Sequence, residues 1–337
     1  MPHHPFCGLV VPLPDPIHEI SESHLFLRKI ILQYSYPNAI RINIFHPPTP
    51  DTPRQGNNRM KKNICLLGFL IFFWQTCACS QGQLLKVHFI EVGYGDAILI
   101  EHPALASVLI DTGPEASGEK LLDYLSSAGV KEIGSVILTH PHENHFGGLQ
   151  RLAGSIPTRQ VFINGDLNAE AGYEPLLELL KEKEIPVTIL KKNDLVPLAV
   201  PGMRFLILHP TELSDDVNAN SIVSWLSYGQ TSFLFTSDIN EPVQDQLIQE
   251  FPEVKTADCL QVPHHGGKVS DGFAGHFSEA FWVVSTGTNP WGKPHKENLR
   301  KLKGKIVRTD IHGTVVVESD GQNVKLVQPR SSKDQNE

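Results

Sequence analysis

Thr139 to Gly148 reads THPHENHFGG, which puts His140, His142 and His145 within six residues of one another. Imidazoles are metal ligands near neutral pH, and this spacing addresses two adjacent ions. In an extended turn His140 and His142 point to the same side and can bind one ion. Residues 144 and 145 enter a helical turn and face a neighbouring position, where His145 would hold a second ion. At position 144 a two-metal site would want Asp, and the chain has Asn144. Cysteine does not compete for the role. Of the five cysteines only Cys259 lies after residue 80, and no CxxC pair occurs. Histidine with carboxylate suits zinc, and also manganese or iron.

The elements that must position these groups can be read from the apolar runs. SVLIDTG is a strand running into Asp111, and SVILTHPHENH is a strand running into the histidines. SFLFTSD runs into Asp238, and CLQVPHHGG into His264 and His265. If these strand ends share one edge, the groups converge on a site held still by the sheets. Asp238 can bridge two ions. A water between them would lose a proton near neutral pH and attack a phosphate or a carbonyl. Of the two adjacent histidines one should face the site and the other pack against the loop, with His265, beside Gly266, as the ligand. His88, His102, His209, His276 and His312 lack such context and read as ordinary residues.

Periodicity predicts strands over 85–91, 96–101, 107–111, 135–139, 160–163, 187–190, 204–208, 221–227, 231–236, 258–262, 280–285, 306–308, 314–318 and 323–327. Helices are predicted over 117–128, 145–153, 174–184, 241–250 and about 295–303. Early strands meet through turns, middle strands alternate with helices, and the last two form a hairpin about Asp320–Gly321. Mixed sheets with helices outside them, in one α/β (α+β) domain over 84–327, fit this order. The tail 328–337 is polar.

The chain has 337 residues, 40% of them hydrophobic, enough for a large core. A net charge of −8 argues against nonspecific coating of nucleic acid. MKKNICLLGFLIFFWQTCACS, from Met60 to Ser80, has a basic start, an apolar middle and a small-residue end. That order predicts a secretory signal peptide over 60–80 and an exported protein, with Cys79 as a possible lipid-anchoring residue. Residues 1–59 then read as an extension upstream of the true start at Met60, without regular structure.

With these residues on the page, the chain resembles the metallo-β-lactamase superfamily, most of all the hydrolase domain of ComEC-type competence proteins. VHFIEVGYGDAILIE is similar to the family's opening strand pair, with Tyr94 where Gln is usual. THPHENHFGG matches its HxHxDH motif apart from Asn144, and VPHHGG, NANSIVSWLSYGQTSFLFTSD and VRTDIHGTVVVESDG match further segments in order. The resemblance implies a four-layer αββα sandwich with a metal site at one edge. It implies that Asp111 orients the histidine loop; His264, read above as the partner that packs against the loop, is the other expected supporting residue. It further implies that Asn144 stands where Asp binds the second ion, bringing a carbonyl oxygen but no charge. Lys293, in STGTNPWGKPHKENLRKL, replaces the first His of a GHPHPE segment, a usual late ligand, and His295 two places on is the candidate substitute. Lys293 also opens a run with six basic residues in thirteen and is the residue expected to attract an anionic substrate.

The expected function is an exported hydrolase using one or two divalent ions, zinc or manganese, and a metal-activated water. Its catalytic groups would be Asp238, His265 and Asn144. Its substrate would be a phosphodiester, either an anionic small molecule or nucleic acid, with no obligate protein partner. The alternative is a catalytically weakened or non-catalytic binding protein on the same fold.

Overall fold

Fifteen runs of aliphatic, β-branched and aromatic residues form strands in the computed structural model, which describes residues 83–277 and 280–327. The first six are β1 (Leu85–Phe89), β2 (Ile98–Glu101), β3 (Ser107–Ile110), β4 (Ile133–Ile137), β5 (Val161–Ile163) and β6 (Val187–Ile189). A second sheet takes β7 (Leu195–Val196), β8 (Met203–His209), β9 (Val223–Tyr228), β10 (Thr231–Phe235), β11 (Cys259–Gln261), β12 (Ala280–Val284) and β13 (Gly304–Arg308). The closing hairpin, β14 (Val315–Ser319) and β15 (Val324–Val327), returns to the first sheet. The orders are β15-β14-β1-β2-β3-β4-β5-β6 and β13-β12-β11-β10-β9-β8-β7.

Among the described residues eight α-helices accompany the strands: α1 (Gly118–Ser127), α2 (Glu143–Phe146), α3 (Leu149–Ser155), α4 (Tyr173–Glu182), α5 (Glu241–Glu250), α6 (Asp271–His276), α7 (Lys296–Leu299) and α8 (Thr309–His312). The expected helix over 145–153 is thus two pieces broken at Gly147–Gly148, and the one over 295–303 shrinks to a single turn. The short β7, α6 and α8 fall outside the sequence expectation. Two local signals explain α5 and α6. Asn240 and Ser270 accept hydrogen bonds from the amides of Val243 (3.2 Å) and Phe273 (2.9 Å), capping each helix start.

Strand alternation sets the layers. In β10, Phe233 and Phe235 point between the sheets while Leu234 faces outward. The central layer joins Val87, Ile98 and Ile137 of the first sheet to Phe205, Leu226 and Val283 of the second. Leu121, Leu152 and Leu176 of α1, α3 and α4 cover the first sheet's outer face, and Leu247 and Phe273 of α5 and α6 cover the second's. Each such buried side chain contributes about 1.5–3 kcal/mol. The result is the αββα sandwich.

Both sheets change character at one strand. β3 is antiparallel to β2 and parallel to β4, and β10 is antiparallel to β9 and parallel to β11. The site is built on the C-terminal ends of β3, β4, β10 and β11. The regions expected to be an upstream extension (1–59), a signal peptide (60–80) and a polar tail (328–337) lie outside the described residues.

Candidate metal centre

β4 stops at Ile137 and the chain stays extended to His142, which precedes α2 with φ −91° and ψ 143°. This extension aims His140 and His142 at one point: His140 Nε2 and His142 Nδ1 are 2.9 Å apart. The other nitrogen of His140 is occupied, with Thr139 Oγ1 at 3.1 Å and Ser221 Oγ at 3.3 Å. Burial, reinforced by the charge on His145, holds the His140 pKa well below the ordinary histidine value. Burial likewise lowers His142. Both rings are therefore neutral and present lone pairs, as metal ligands must.

The turn of α2 carries residues 144 and 145 to a second position. There three imidazoles meet one carboxylate. The Nε2 atoms of His145, His264 and His265 lie 3.5, 3.4 and 3.4 Å from Asp238 Oδ2. Two of the rings are oriented from behind. His145 Nδ1 is 2.8 Å from Asp111 Oδ2, and His265 Nδ1 donates to the Ser285 carbonyl at 3.0 Å. Burial alone would raise the Asp238 pKa, but His265, His145 and His264 reverse it and hold the group an anion. Burial works in the opposite sense on His145, and Asp238 and Asp111 overcome it, leaving that pKa well above the usual value. Asp111 itself is pushed up by burial against the pull of His145 and Thr139, so the raised His145 is the clearer signature of the pair.

The residues fit a divalent ion. His145 Nε2 and Asp238 Oδ1 are buried and have no hydrogen-bond partner, although buried polar atoms normally have one. Polar atoms of Asp96, His145, Asp238 and His265 all lie within 4.8 Å of one another. Asp96 stands behind the rings rather than before them. Its oxygens are 3.7 Å from His145 Nδ1 and 3.8 Å from His265 Nδ1, the sides facing away from Asp238. Burial pushes its carboxyl up to about 6, against the pull of His265 and His145. Asp96 is a site residue absent from the sequence expectation. Its signal was the GYGD segment, which reads as a turn.

The loops are stapled to one another. Asp111 accepts from the Thr139 amide (2.8 Å) and hydroxyl (2.7 Å), and Thr112 donates to the His145 carbonyl at 2.7 Å. A Cβ on Gly148 would lie 2.3 Å from the Thr112 carbonyl oxygen, so the DTG and FGG segments meet only because a hydrogen stands there. Of the six non-glycine residues with left-handed backbones among the described residues, four belong to the site region: Asp111 (φ 55°), Ser237 (49°), His264 (52°) and His265 (56°). Each costs about 1 kcal/mol or more, and all four sit at or beside the strand ends that carry the site.

Three sequence expectations are corrected by this geometry. His295 does not join the cluster; its Nε2 lies 3.2 Å from the Trp291 carbonyl oxygen, where it precedes α7. His264 does not merely pack against the loop, since it reaches Asp238 as closely as His265 does. Asn144 stands beside the second position with its amide nitrogen, not its oxygen, 3.1 Å from His265 Nε2. Glu143 points away and accepts from the Glu115 amide at 2.7 Å. Lys293 reaches back toward the site, its Nζ donating to the Tyr94 hydroxyl at 3.0 Å.

Two sheets with ligand-bearing strand ends gathered at one edge define the metallo-β-lactamase fold. The family model for the metallo-beta-lactamase superfamily matches residues 90–272, more than half of the chain, and the chain belongs to that superfamily. Two competence proteins are among the chain's relatives. It is 29% identical over 276 residues to ComE operon protein 3 of Bacillus subtilis (strain 168), covering 74% of this chain and 34% of that one. It is 24% identical over 233 residues to competence protein ComA of Neisseria gonorrhoeae, covering 67% and 31%. The chain thus spans about a third of the length of these relatives. Among solved structures, Tm1679, titled a metal-dependent hydrolase of the beta-lactamase superfamily, is similar in fold with a TM-score of 0.47 and 14% identity, covering 68% of this chain and 98% of that one. Among the described residues no helix is long and apolar enough to cross a membrane.

Proposed function

We propose that this chain is an exported, metal-dependent hydrolase that cleaves phosphodiesters of nucleotides or nucleic acid. The observation that carries this reading is the convergence of three imidazole nitrogens on Asp238, with His145 Nε2 and Asp238 Oδ1 buried and unpartnered. His140, His142, His145, His264, His265 and Asp238 would hold one or two zinc or manganese ions. Such ions polarise a phosphoryl oxygen and make water a nucleophile near neutral pH. The chain's own residues do the rest. Asp111 and the Ser285 carbonyl fix which ring nitrogen of His145 and His265 faces the site. Lys293 brings a positive charge to the rim. The Tyr94 hydroxyl, accepting from Lys293 and kept protonated by burial and by Asp238, retains its own proton to donate to a substrate oxygen. The similarity to competence proteins supports a nucleic-acid substrate, with no protein partner required. Residues 60–80 support export, and Cys79 a lipid anchor as the sole membrane contact.

The test uses the full chain. Metal content is measured, then hydrolysis of bis-p-nitrophenyl phosphate with zinc or manganese. Bound metal with turnover that disappears in His142→Ala is expected. Absence of both metal and turnover overturns the reading. Metal without turnover supports the second one, a binding protein with weakened catalysis, which the Asn144 amide nitrogen facing His265 Nε2 favours.

A further inference from the structure

We infer that Trp291, Tyr94 and Lys293 form a subsite that stacks a nucleobase of the substrate beside the metal centre. The inference rests on the phosphodiesterase reading and narrows it to substrates that carry a base. Three rings form a ladder leading out of the site. Tyr94 lies 4.5 Å from His265 between ring centroids, and Trp291 lies 4.8 Å from Tyr94, the last pair tilted by only 33°. Trp291 is 60% exposed, so the ladder ends on an aromatic surface open to solvent. Lys293 Nζ sits 5.7 and 5.8 Å from the centroids of Tyr94 and Trp291. A cation is thereby held against the platform, where it would meet the phosphate joining a stacked base to the scissile position.

The platform is built rigidly. Asn289 donates to the carbonyls of Gly287 (2.8 Å) and Lys293 (2.7 Å) and accepts from the amides of Trp291 (3.1 Å) and Lys293 (3.0 Å). One side chain thus closes the loop 287–293. A Cβ on Gly287 would lie 2.4 Å from the Gly93 backbone, so this loop packs directly on the segment that carries Tyr94. Beyond its contacts with Tyr94 and Lys293, the Trp291 ring is left open to solvent. It suits a ligand with a π-face, which every base has, whatever its sequence. A substrate that was only an anion would need Lys293 and not Trp291.

The experiment compares two esters with one leaving group, thymidine 5′-(4-nitrophenyl phosphate) and methyl 4-nitrophenyl phosphate, using the metal-loaded full chain. The ratio of their kcat/KM values is expected to fall about tenfold in Trp291→Ala and Trp291→Leu, and to stay near its native value in Trp291→Phe. A ratio unchanged within about twofold in the first two variants overturns the subsite. A second arm measures anisotropy of labelled single-stranded tetrathymidylate on the metal-free chain. Single-strand affinity about tenfold weaker in Trp291→Ala supports the inference, and equal affinity overturns it. If the native chain hydrolyses neither ester, the hydrolase reading fails and the binding arm alone decides the subsite.

Discussion

The two sheets support their shares of the site in opposite directions. In the first, the support hangs from the switch strand: Asp111, just past β3, reaches to the loop after β4 and holds Thr139 and His145. In the second, it hangs from the next strand: Gln261, at the end of β11, reaches back past β10. Its Oε1 accepts from the amides of Thr236 (3.1 Å) and Ser237 (2.9 Å), and its Nε2 donates to Asp96 at 2.7 Å. Both clamps are buried and both fix two neighbouring strand ends. They differ in charge, and the group in front explains why. Asp111 stands behind an imidazole, which gains from a negative partner. Gln261 supports the turn into Asp238, a carboxylate that a second anion would oppose. The charge of a supporting residue follows from the ligand it serves.

Asp111→Asn removes the charged clamp while keeping its shape. Metal affinity should fall about 100-fold, the upper end for loss of such a support, in competition with a chelator. A loss below about threefold would erase the distinction between the clamps. The pH profile sharpens it. A proton on His145 competes with the ion, so apparent affinity falls as pH drops below that raised pKa and levels off above it. Asp111 is one cause of the elevation, so the plateau of Asp111→Asn should begin at lower pH. A plateau in the same place would mean that Asp238 alone sets it.

Gln261→Leu removes the neutral clamp and strands two buried amides. A loss of about 2 kcal/mol in thermal or denaturant unfolding is expected, with metal affinity reduced less than in Asp111→Asn. Equal affinity losses in the two variants would show that both clamps act only through shape. The smallest effect should come from Asn144→Asp, which restores a negative charge where the two halves of the site meet. Metal should bind about tenfold tighter, as one added carboxylate contact of roughly 1–2 kcal/mol implies. A weaker grip would show that the amide nitrogen beside His265 is not the obstacle.

Much of this was legible because it depends on local runs. SVILTHPHENH and SFLFTSD state both a strand and the polar group at its end. What was hidden depends on contacts between distant segments. Asp96 reads as part of a turn until Gln261, 165 residues on, is seen to hold it. The adjacent His264 and His265 should have faced opposite ways in an extended chain. Their left-handed backbones turn both toward Asp238, and no propensity of histidine announces that. β7 is too short to show a period, and the two glycines of DGFAGH conceal α6 behind a weak helical composition. His295 failed as a ligand for a related reason. A motif fixes a spacing along the chain, whereas reach is fixed by the loop, and Asn289 folds this loop so that Lys293 rather than His295 turns inward.

The pairing of β1 with β14 also orders events in time. Leu85–Phe89 lies between β2 and Val315–Ser319, so its second neighbour comes from the far end of the described chain. As the protein is made, β1 is an open apolar edge until the final hairpin emerges. Such long-range closure is slow, and a chain lacking it stays unfinished and prone to wrong pairing.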